Sequence, residues 1–155
     1  LFNYHLNYHF LSWTVEIHYE FRQSEFSKYS AIDGASFGDR HLYEIKCEIK
    51  TSNKYRNFSI TEIGFLEKLL STNSQILYKI KCKNKALKRI LEKNTNLQQI
   101  YVMVDNSPEF SPLIDAKLKD GYYVLRVMYN TKVKNEESIQ LFNSFCKDLI
   151  EYYYE

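Results

Sequence analysis

Apolar and polar residues alternate strictly through residues 13–21. Trp13, Val15, Ile17, Tyr19 and Phe21 fall on one face, and Thr14, Glu16, His18 and Glu20 on the other. A period of two carried by β-branched and aromatic side chains predicts a strand with one buried face. Residues 41–50 repeat the pattern: Tyr43, Ile45, Cys47 and Ile49 share one face, Leu42, Glu44, Lys46, Glu48 and Lys50 the other. Between these strands, Asp33-Gly34 and Gly38-Asp39 are turn signals that bracket a short segment. Ser59-Ile60-Thr61-Glu62 has the form of a capping box, with Ser59 at N-cap and Glu62 at N3, and Ile63, Leu66, Leu69 and Leu70 extend it as a helix.

Further along, Ile76, Tyr78, Ile80 and Cys82 predict a strand over residues 75–82, and Leu87, Ile90 and Leu91 a helix over 84–93. An apolar run predicts a strand at 99–104, Pro108 and Pro112 hold a loop, and residues 121–129 form another strand. Asn135 caps a final helix, with Glu136 and Glu137 in the first turn where the helix dipole favours them. Its apolar stripe is Ile139, Phe142, Phe145, Cys146, Leu149 and Ile150. The order is β, β, β, α, β, α, β, β, α. It predicts an α/β (α+β) fold in which one domain, residues 1–155, holds a mixed, largely antiparallel sheet flanked by about three helices.

At 45% hydrophobic, with four Gly and two Pro, the chain has enough apolar surface for a core and is neither collagen-like nor disordered. No apolar run approaches the ~20 residues of a membrane span, and residues 1–10 lack a signal-peptide pattern. A soluble cytoplasmic protein without a membrane partner is expected. The net charge of +2 decides nothing by itself, so only its distribution can point to a polyanion. Cys47, Cys82 and Cys146 form no CxxC and sit among apolar neighbours, which reads as packing rather than zinc or disulfide chemistry. His5, His9, His18 and His41 lack ligand spacing, and no P-loop, GxSxG, GxGxxG, HExxH or EF-hand pattern is present.

One constellation can carry chemistry. Residues i and i+2 of a strand face the same way, so Glu48 and Lys50 lie side by side, and a hairpin partner carrying Asp33 can bring a second carboxylate to them. Two carboxylates and a lysine suit Mg²⁺-assisted phosphodiester cleavage. The metal lowers the pKa of a bound water and offsets charge on the phosphorane, while the lysine positions or deprotonates the nucleophile. The pattern fits equally a solvated strand face of cross-strand charge pairs. Glu16, His18 and Glu20 form a second such strip, able to complete a metal site if it lies beside Glu48.

Ile32-Asp33, Cys47-Glu48-Ile49-Lys50-Thr51-Ser52, Phe58-Ser59-Ile60-Thr61, Glu62, Phe65-Leu66-Glu67-Lys68 and Leu77-Tyr78-Lys79-Ile80 recur in order. Over residues 33–81 the chain thereby resembles the PD-(D/E)XK nuclease superfamily, most nearly the NO VEIN C-terminal type of domain. The resemblance implies a nuclease-like segment whose metal-binding acids are Asp33 and Glu48 and whose catalytic lysine is Lys50. Lys79, Lys81, Lys83, Lys85, Lys88 and Arg89 concentrate positive charge that could grip a nucleic-acid backbone, or simply coat an outer surface. Fourteen tyrosines and ten phenylalanines offer stacking platforms, although most fall on core faces. Two functional classes therefore stand: a Mg²⁺-dependent nuclease or nuclease-like nucleic-acid-binding domain, and a non-enzymatic protein-binding module such as a bacterial toxin-immunity protein.

Overall fold

The computed structural model describes residues 3–22, 39–51, 55–64, 78–107 and 110–154. Seven strands form one sheet: β1 (Asn3–Phe10), β2 (Trp13–Arg22), β3 (Arg40–Lys50), β4 (Phe58–Glu62), β5 (Tyr78–Cys82), β6 (Leu113–Lys119) and β7 (Tyr122–Thr131). Among the described residues there are three helices: α1 (Lys85–Lys93), α2 (Thr95–Asp105) and α3 (Glu136–Tyr154). The strands lie in the order β1-β2-β3-β7-β6-β4-β5, and every pairing is antiparallel. The fold is thus α+β, with the helices on one sheet face.

Alternation places the core. Trp13, Val15, Ile17 and Tyr19 of β2, Tyr43, Ile45 and Cys47 of β3, and Tyr123, Leu125, Val127 and Tyr129 of β7 are buried on the covered face. α3 lies against them through Phe142, Phe145, Cys146, Leu149 and Ile150, all buried, and Ile139 is half-buried beside them. Phe142 stacks on Tyr129 at a 4.6 Å centroid distance, and Tyr153 stacks on Trp13 at 6.1 Å. The Asn135 side chain accepts from Ser138 N at 2.9 Å, which caps α3 as expected. The Cys146 thiol, hydrogen-bonded to Cys47 and fully desolvated, is pushed well above its ordinary pKa, so it packs and does not act as a thiolate.

Several sequence expectations are corrected. Ser59-x-x-Glu62 does not start a helix: Phe58–Glu62 is β4, placed between β6 and β5. A capping box stabilises by only ~1 kcal/mol, whereas burying Phe58 and Ile60 on alternate positions gains about 1.5–3 kcal/mol for each. The helix expected through Leu66, Leu69 and Leu70 lies outside the described residues. Residues 99–104 are helical rather than extended. Leu97, Ile100, Tyr101 and Val104 are the buried positions of α2, spaced by three, one and three, and the Asn94 side chain caps its start. Two strands, β1 and β6, were not anticipated. Each is tied to its neighbour by a two-residue loop, Leu11-Ser12 between Phe10 and Trp13 and Asp120-Gly121 between Lys119 and Tyr122. Asp120 and Gly121 both have positive φ (50° and 79°), as a tight hairpin requires.

Candidate functional site

The sheet face opposite the helices carries polar side chains in continuous cross-strand rows. One row crosses all seven strands: Asn7, Glu16, Lys46, Arg126, Asp115, Ser59 and Lys81 are successive partners. A second runs His9, Thr14, Glu48, Val124 and Lys117, and a third Lys50, Tyr122 and Lys119. Register fixes these neighbours, because residues directly opposite in an antiparallel pair lie ~4.5–5.5 Å apart at Cβ.

Glu48 and Lys50 do share this face, but the partner of Glu48 is Lys46. Lys46 Nζ lies 2.7 Å from Glu48 Oε2 and 3.6 Å from Glu16 Oε2. The hydrogen bond that Lys46 donates to Glu48 raises the Lys46 pKa above its ordinary value. An ammonium therefore already stands between the two carboxylates that a cation would bridge. Lys50 sits exposed at the end of β3 opposite Tyr122. Asp33 lies outside the described residues. Among those described, no group of three or more His, Cys, Asp or Glu side chains could hold a metal ion. The second strip, Glu16, His18 and Glu20, runs on β2 beside Lys46, Glu44 and Leu42, and contributes one of the two carboxylates on Lys46. These carboxylates do not offer Mg²⁺ a vacant pair of hard oxygen ligands.

Charge on the open face is uneven. On β2 and β3, Glu16, Glu20, Glu44 and Glu48 are interleaved with Arg22, Arg40, Lys46 and Lys50, whereas Lys79, Lys81, Lys117, Lys119 and Arg126 on β5, β6 and β7 outnumber Asp115. Asp115, the carboxylate in the basic half of the row, is neutralised from both sides, by Arg126 Nε and Lys117 Nζ at 3.3 Å each. At the basic end a cleft of about 1130 Å³ opens between residues 55–59, the β5–α1 junction and β6. Arg56, Lys81, Lys83 and Lys117 line it, against Asp115 as the acid among its lining residues. Asn84, also in the lining, caps α1 by accepting from Leu87 N at 2.8 Å. The first turn of α1 has no acidic residue, so the helix start that Asn84 brings to the cleft lining keeps its partial positive charge.

The predicted basic cluster divides in this geometry. Lys81 and Lys83 reach the cleft. Lys79 shares the face of Lys81 on β5. Lys85 and Arg89 are exposed on α1, and Lys88 is drawn to Glu92 at 3.8 Å. Sequence reasoning missed Arg56 and Lys117, which are far from this run along the chain and join it only through the β4–β6 and β4–β5 pairings.

Comparison with protein-family models, curated proteins and solved structures yields no match. Among the described residues, no helix is long and apolar enough to cross a membrane.

Proposed function

We propose that the chain is a nucleic-acid-binding domain of non-catalytic type, holding a phosphodiester backbone in the cleft at the β4–β5–β6 end of its sheet. The observation that carries the reading is the convergence of Arg56, Lys81, Lys83, Lys117 and the α1 N-terminus on one cleft. Lysine and arginine bind backbone phosphates without regard to base sequence, and each neutralised phosphate releases counterions. The amides of Asn57 and Asn84 and the hydroxyl of Ser59 lie in the same lining as neutral hydrogen-bonding groups. The nuclease-like resemblance of residues 33–81 supports the same partner class. The catalytic form of that reading rests on Asp33 and on a Glu48 released from Lys46.

Fluorescence anisotropy with labelled single-stranded and duplex oligonucleotides, across a salt series, tests this. Binding should weaken linearly in log–log form with salt. Lys81→Glu with Lys83→Glu should lower affinity at least ~10-fold and shallow the slope by about two. Unchanged affinity in that double variant overturns the reading. The same oligonucleotides incubated with Mg²⁺ or Mn²⁺ test cleavage; cleavage that Glu48→Ala abolishes would move the assignment to the nuclease. If no nucleic acid binds, the protein-binding reading stands, with the mixed-charge β2–β3 half of the open face as the docking surface and a protein such as a toxin as its partner.

A further inference from the structure

The two edges of the sheet are built differently. β5 is five residues long and carries Lys79 and Lys81, the short, charged form that discourages strand addition. β1 is eight residues long, reads Asn-Tyr-His-Leu-Asn-Tyr-His-Phe, and contains no Lys, Arg, Asp, Glu, Pro or Gly. Among the described residues β1 pairs only with β2. An edge of this length without a charge or a proline is a template for another strand.

Tyr4, Leu6, Tyr8 and Phe10 lie on the helix-covered side of β1, opposite Tyr19, Ile17, Val15 and Trp13. α3 shields only the second half of that row. Tyr8 OH donates to Asn143 Oδ1 at 2.6 Å, and Lys147 Nζ sits 5.7 Å from the Tyr8 ring and 5.5 Å from the Phe10 ring. Beyond the helix, Tyr4 and Leu6 remain 38% and 51% exposed at the margin of the sheet.

We propose that β1 is a self-pairing edge, at which two copies of this chain join antiparallel about a twofold axis into one continuous sheet. In such a pairing, opposite residues must lie on the same face, so their numbers must sum to an even value. Centring the axis on Leu6 sets Leu6 against its own copy, Tyr4 against Tyr8 and His5 against Asn7. Within the paired stretch Tyr4, Leu6 and Tyr8 then meet apolar side chains, and the exposed Tyr4–Leu6 margin is covered by the other protomer's equivalent row. The strand has no formal charge, so the copies do not repel, and a charged foreign strand finds no counter-charge to recognise. The interface is isologous and closes at two copies. It lies at the opposite edge from the basic cleft and is independent of the function proposed for that cleft.

Sedimentation equilibrium of the whole chain through the micromolar range should show a dimer. Leu6→Lys sets two ammonium groups against each other on the axis, and should give a monomer whose circular dichroism matches wild type. If that variant does not fold, Tyr4→Lys, at the other exposed position, should give the folded monomer. Mixing Leu6→Lys with Leu6→Glu should restore a heterodimer, because the axis places those two side chains opposite each other. A monomeric wild type overturns the proposal, as does a Leu6→Lys protein that remains dimeric. Failure of the lysine–glutamate mixture to reassociate overturns the Leu6-centred register.

Discussion

Asn94 is the joint on which the helical layer turns, and its replacement has a magnitude the geometry supplies. Its backbone N–H closes α1 on Leu91 O while its side chain opens α2 by accepting from Leu97 N at 2.8 Å. The same side chain donates to Asp148 Oδ2 on α3 at 2.7 Å, and Asn96 donates to that oxygen at 2.8 Å. Asn94→Ala keeps the backbone closure of α1. It removes one N-cap bond, worth ~1 kcal/mol, and one hydrogen bond to a carboxylate, worth ~1.5–3 kcal/mol. The site is only partly buried, so water recovers part of the second contribution, and the net loss should be about 2–3 kcal/mol. With a urea slope of ~2 kcal/mol/M, the midpoint should fall by about 1–1.5 M. A double-mutant cycle with Asp148→Ala isolates the cross-layer bond and should show coupling of ~1 kcal/mol. A midpoint that falls by less than ~0.3 M, or a cycle with no coupling, would refute the assignment of Asn94 as both cap and tie.

Phe145 is fully buried on α3, so Phe145→Ala should cost roughly 3–5 kcal/mol in the same urea melt; a loss below ~1 kcal/mol would mean that the α3 stripe does not pack on the sheet. Leu11 holds φ +55° in the β1–β2 loop, a conformation that costs a non-glycine residue about 1–2 kcal/mol. Leu11→Gly should therefore raise stability by up to ~1 kcal/mol after the extra backbone entropy is offset, and a destabilised variant would contradict the strain. Burial raises the pKa of Tyr101, Tyr123, Tyr129 and Tyr153 above the ordinary 10.0. Stability linked to them is held in full below that pH and lost above it, because the unfolded chain ionises first, by about 1.4 kcal/mol per pH unit for each tyrosine. Tyrosinate absorbance and circular dichroism should accordingly change together in alkali; ionisation of these four residues without unfolding would show that they are not desolvated.

Much of the architecture was legible because one core imposes one pattern. Residues 13–21 and 41–50 alternate because each strand has one face under the helices, and α1 and α3 announce themselves by a single buried stripe with Asn84 or Asn135 before it. β1 escaped because Asn and His alternate with Tyr and Leu on a mostly exposed edge, and because its hairpin closes with Leu11-Ser12 rather than glycine or asparagine. β6 has a local signal of its own: Asp120-Gly121 after the alternating Ile114 and Ala116 marks a tight hairpin.

The remaining differences were decided by tertiary structure. Residues 58–62 satisfy a helix-capping motif locally, but two sheet neighbours and two buried side chains outweigh it. For the candidate site, Glu48 has equivalent lysines at i−2 and i+2, and no local rule separates Lys46 from Lys50. The β2–β3 register separates them by setting Glu16 opposite Lys46, so that one ammonium serves two carboxylates. The basic run at 79–89 could be read directly, whereas Arg56 and Lys117 join it only when β4 inserts between β5 and β6. Periodicity records which side of an element faces the core, and that much is written in the sequence. Which charged side chains become neighbours on the opposite face depends on strand order and register, and these are set by burial of the whole sheet.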